Sequence, residues 1–103
     1  LEEYLPGVRP VAFGHVGDGN IHFNLSQPEN WLPEAFLAQR EALAELVYGC
    51  VDRFGGSISA EHGIGQAKKA DLLKYRGDLE VGLMRTVKQA LDPRNIMNPG
   101  KVF

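Results

Sequence analysis

The three histidines of the chain fall in two short glycine-rich stretches, GHVGDGNIH at 14–22 and EHGIG at 61–65. An imidazole titrates near neutral pH and ligates divalent ions through either ring nitrogen. Two imidazoles and one carboxylate are a common donor set for zinc or a similar divalent ion with an open coordination position. His15 and His22 supply the imidazoles, and Glu61, beside a glycine turn, is the best-placed carboxylate. Asp18 is its rival, although an aspartate at a hairpin tip more often serves the turn itself. The plainer alternative is a pair of partly exposed sheet histidines. Glu61 and His62 are adjacent, and adjacent side chains on extended backbone point opposite ways, so a division of labour follows: Glu61 as ligand and His62 as base. An ordinary turn carrying a charged pair is the alternative there.

The two histidines can meet only if the chain between them turns. Asp18-Gly19, flanked by apolar residues, predicts a hairpin of Arg9–Val16 and Asn20–Leu25, with His15 directly opposite His22. Val11, Phe13 and His15 then share a face with His22, Asn24 and Ser26. Ala12, Gly14, Val16, Ile21, Phe23 and Leu25 form a wholly apolar opposite face. A loop widened to four residues, Gly17–Asn20, keeps this pairing, whereas a loop of odd length, or a bulge, would separate the histidines.

Beyond a polar exit loop, Ser26–Asn30, the apolar spacing of Phe36, Leu43, Val47, Cys50, Val51 and Phe54 predicts one long helix from Pro33, stopped at Gly55-Gly56. Its placement in that stripe reads Cys50 as a buried structural thiol. Ser57–Ala60 reads as a short strand of small residues. Gln66–Tyr75 reads as a basic helix, and a further helix runs from a cap at Asp78 to Leu91, with Leu79, Leu83, Met84, Val87 and Leu91 on one stripe. Asp92-Pro93 ends it, and the tail RNIMNPGK is rich in turn formers. This order predicts an α+β fold, a mainly antiparallel sheet of the hairpin plus a further strand, covered by helices, with the apolar hairpin face under the long helix.

At 103 residues, 44% hydrophobic and 23% charged, the chain has the composition of a small globular domain. A net charge of -2 gives no basic footprint for nucleic acid, and no apolar run is long enough for a transmembrane segment. One cysteine excludes an internal disulfide and a thiolate cluster. A cytoplasmic compartment is expected. The start at Leu1, with strand-like residues soon after, suggests a piece of something larger.

GHVGDGNIH, EHGIG and DPRNIMNPGK (92–101), in this order and at these intervals, resemble the C-terminal segment of FAD-linked oxidoreductases of the vanillyl-alcohol oxidase and p-cresol methylhydroxylase superfamily. The nearest branch is that of D-lactate dehydrogenase, the flavin subunit of glycolate oxidase and D-2-hydroxyglutarate dehydrogenase. The resemblance implies that His15, His22 and Glu61 bind a divalent metal, usually zinc; that His62 is the base; that Asn24 binds substrate; and that Asn98 lies near the flavin. It implies oxidation of a D-2-hydroxy acid to the 2-oxo acid, with hydride passing to FAD and electrons to a quinone, cytochrome or electron-transfer flavoprotein. The family's FAD-binding domain lies upstream and is absent here. Residues 1–60 are then expected to be part of the cap-domain sheet and long helix, and 61–103 the active-site loop and terminal helices. Such a piece is expected to be inactive alone and to self-associate through uncovered faces. A stand-alone zinc-binding or hydrolytic module is the alternative function.

Overall fold

A computed structural model describes residues 1–103. Strands β1 (Arg9–His15) and β2 (Asn20–Ser26) form an antiparallel hairpin, as expected, and are the only strands. The register differs from the expected one. His15 pairs with Asn20 and Phe13 with His22, so His15 does not stand directly opposite His22. The cause is the loop. Val16 leaves the ladder, Asp18 N donates to His15 O and Gly19 N to Val16 O at 3.2 Å each, and Gly19 takes a left-handed φ of +66°. That makes a four-residue loop, Val16–Gly19, in place of a two-residue turn. Asn20 reinforces it by accepting from His15 N through its side-chain Oδ1 at 3.2 Å. The displacement is an even number of residues, so the two faces keep their membership.

The chain divides into two compact units, Leu1–Glu61 and His62–Phe103. In the first, the expected long helix is two helices, α1 (Pro33–Leu37) and α2 (Arg40–Arg53), interrupted by a turn at Ala38-Gln39. Helix α2 closes as predicted at Gly55-Gly56, with Gly55 N bonded to Asp52 O and Gly56 N to Val51 O, the two bonds of a Schellman motif. The core is Leu5, Val8 and Leu43, with Leu25, Trp31 and Phe36 packed against it. The helix therefore meets the N-terminal turns and only the end of β2. The apolar hairpin face stays open: Val16 is 99% and Ile21 70% exposed. Cys50 is exposed, contrary to its expected burial. The strand expected at Ser57–Ala60 does not form. Ser57 Oγ bonds Ser59 O at 2.9 Å and accepts from Ser59 N at 3.3 Å, a local turn that competes with ladder pairing.

In the second unit, α3 (Lys69–Tyr75) is shorter at its start than expected, while α4 (Asp78–Leu91) has the expected bounds. Gly77, rather than Asp78, is the N-cap of α4. The two helices contact each other, and Leu72 and Val81 are buried. The expected apolar stripe of α4 is present but faces out, with Leu79 81% and Leu91 77% exposed. Past α4 the chain wraps around Asp92. Its buried carboxylate accepts from Lys88 Nζ, from Ile96 N and from Met97 N, the last two at 3.0 Å, while Lys88 Nζ also donates to Met97 O at 2.7 Å. No helix is long and apolar enough to cross a membrane. The architecture is α+β, a two-stranded antiparallel sheet with four helices.

Candidate metal centre

His22 and Glu61, 39 residues apart, are brought together: His22 Nε2 lies 3.0 Å from Glu61 Oε2. Strand β2 carries His22 on the polar face of the hairpin. Glu61 comes from the irregular segment after α2, at a bend of the chain. The histidine side chain is one quarter exposed and the carboxylate nearly half. An exposed ion pair of this kind adds only about 0–1 kcal/mol to stability, so stability alone is a weak reason for it.

The separation suits a shared ion. Two ligand atoms at the zinc–nitrogen and zinc–oxygen distances of about 2.0–2.2 Å, with an angle between 90° and tetrahedral, lie about 2.8–3.6 Å apart. The His22–Glu61 spacing falls in that window, and imidazole with carboxylate is a donor set that zinc, manganese and iron accept. His15 is on the same face but diagonal to His22, at a register position typically about 7–8 Å away, and it is exposed and makes no contact with the pair. Asn24, two residues past His22 on the same face, is exposed. His62 directly follows Glu61 and is also exposed.

A residue that the sequence reading left unassigned also touches His22. The Phe13 ring stacks on the His22 imidazole with centroids 5.0 Å apart and planes inclined by 16°. Its signal in the sequence was position alone, because a four-residue loop brings Phe13 opposite His22.

The second unit brings the other two motifs together. Val102 N donates to Gly65 O at 2.7 Å and Lys69 Nζ to Gly100 O at 3.2 Å, so the NPGK turn closes against the loop that follows His62. Asn98 sits on that turn, exposed, with a left-handed φ of +47°. A diphosphate is a poor fit at the helix starts, where it would meet Glu34, Glu41, Asp71 and the pair Asp78 and Glu80 in the first turns.

The family described as FAD linked oxidases, C-terminal domain, matches residues 1–102. The chain belongs to this family. Among curated relatives, this FAD-linked oxidase C-terminal domain is 44% identical to "D-2-hydroxyglutarate dehydrogenase" of Xanthomonas citri pv. viticola over 103 residues, the whole chain but 22% of the relative. It is 40% identical to "D-lactate dehydrogenase" of Archaeoglobus fulgidus over 101 residues, 98% of the chain and 21% of the relative. It is 41% identical to "D-2-hydroxyglutarate dehydrogenase, mitochondrial" of Danio rerio over 93 residues, 90% of the chain and 16% of the relative. The domain thus spans about a fifth of the length of such relatives.

Proposed function

We propose that this domain is the metal-bearing wall of an FAD-dependent dehydrogenase that oxidises a D-2-hydroxy acid of the lactate, glycolate or 2-hydroxyglutarate type to the 2-oxo acid. The observation that carries the reading is the His22–Glu61 pair, held at an ion-sharing distance in a member of this family. His22, Glu61 and His15 are the metal ligands, His15 through rotation of its exposed side chain on the shared face. Asn24, two residues past His22 on β2, binds the substrate. When bound, the cation supplies charge that acidifies a nearby hydroxyl, and FAD supplies the hydride acceptor. His62 takes the hydroxyl proton, a task for which an imidazole is suited at neutral pH. Asn98 contacts the flavin, whose diphosphate is held by residues outside these 103. The final acceptor is a quinone, a cytochrome or an electron-transfer flavoprotein. The isolated 103-residue chain is inactive, and it self-associates through its open apolar faces.

The test is anaerobic reduction of the flavin by D-2-hydroxy acids in the purified full-length protein, with its metal content measured alongside. Wild type is expected to be yellow, to hold divalent metal and to bleach with substrate. His22→Ala and Glu61→Gln are expected to lose the metal, and His62→Gln to keep it while reacting about 10²–10⁴-fold more slowly. A colourless full-length protein, or His22→Ala bleaching at the wild-type rate, would sink the reading.

A further inference from the structure

We infer that Phe13 is a positioning residue for this centre: by stacking on His22 it fixes the plane of the imidazole and keeps Nε2 aimed at the Glu61 carboxylate. The inference rests on the reading of His22 and Glu61 as metal ligands. Three observations carry it.

The register places Phe13, not His15, directly across the ladder from His22. The rings are nearly parallel, inclined by 16° at a 5.0 Å centroid distance, so rotation of the imidazole about its Cβ–Cγ bond would break the stack. The stack acts on that plane together with the Nε2–Glu61 contact. The hairpin is a two-stranded ribbon with an open surface, and Glu61 arrives from a segment that belongs to no sheet. Burial does not explain Phe13 itself, which is 55% exposed and outside the Leu5, Val8 and Leu43 core. A rigid ring with two side-chain torsions is an economical way to orient an imidazole, and partners that orient a ligating histidine commonly change metal affinity by about 10–100-fold.

The experiment is a Zn²⁺ titration of the metal-stripped full-length protein as wild type, Phe13→Val, Phe13→Tyr and His22→Ala. Valine keeps the strand preference and removes the ring, whereas tyrosine keeps it. Phe13→Val is expected to bind Zn²⁺ about tenfold more weakly, with Phe13→Tyr within about twofold of wild type. NMR of the metal-free protein supplies a second readout independent of affinity. The His22 ring protons should show an upfield ring-current shift in wild type and Phe13→Tyr that is lost in Phe13→Val. Wild-type affinity in Phe13→Val, or equal weakening in Phe13→Val and Phe13→Tyr, overturns the role given to the ring while leaving the metal site standing. Undiminished binding by His22→Ala overturns the metal reading and this inference with it.

Discussion

The Asp92 carboxylate accepts three hydrogen bonds, from Lys88 Nζ, Ile96 N and Met97 N, which makes the end of α4 sensitive to protonation. The hydrogen bond from Lys88 is the largest influence on its carboxyl and holds it below the ordinary value near 3.8; burial opposes this, and the Ile96 and Met97 N–H groups and the Lys88 charge reinforce it. A depressed folded-state pKa means that ionised Asp92 contributes stability above the unfolded value. That contribution is lost as pH falls through the lower, folded one. Asp92→Asn is therefore expected to lower the melting temperature at neutral pH, and its gap from wild type should narrow as the pH drops below about 4. Thermal scans of both proteins across the acid range check this; a gap constant down to pH 2 would contradict it. The sequence reading took Asp92-Pro93 as a helix stop and no more. The signal it passed over was Lys88, one helical turn earlier, a spacing that places a cation beside a carboxylate.

At the scale of the element, the hairpin depends on close backbone approach at Gly14. A Cβ built there would lie 2.1 Å from Asn20 O and 2.9 Å from Ile21 Cα, both backbone atoms that can move only if the ladder opens. Gly14→Ala is expected to destabilise the protein by about 1–3 kcal/mol and to disturb the register that stacks Phe13 on His22. Urea denaturation and the His22 ring-proton shifts report the two effects separately. Leu43 is the counterpart in α2. It is 4% exposed and is the only residue of that helix in the core, so Leu43→Ala is expected to cost about 2–5 kcal/mol in the same denaturation experiment. The rest of the predicted α2 stripe contributes less, since Phe54 is 84% exposed.

Across the whole molecule, exposed apolar surface is the dominant feature. Leu79, Leu83, Val87 and Leu91 form a row along α4, and Val16 and Ile21 remain open on the hairpin. Surface of this kind marks an interaction site or an association hazard. Self-association of the isolated chain is accordingly expected to rise with concentration in light scattering, and Leu83→Lys is expected to reduce it. A strict monomer at high concentration would refute the proposal. Periodicity identified an apolar stripe on α4, but a stripe can be covered only by something, and nothing within its own unit covers this one.

Local pattern was enough for much of the protein. Asp-Gly between apolar runs specified the hairpin, Gly55-Gly56 the end of α2, and the apolar spacing with Asp92-Pro93 the bounds of α4, because turns, caps and helical periodicity are set by near neighbours. The three motifs were also enough for the family, which the match over residues 1–102 bears out. Tertiary structure decided the rest. Whether Ser57–Ala60 pairs as a strand depends on a partner edge and on competition from the Ser57 hydroxyl. The residue facing His22 depends on how many residues the loop withdraws from the ladder. Bringing Glu61 to within 3.0 Å of His22 closes a separation of 39 residues, and no local rule fixes a distance of that kind.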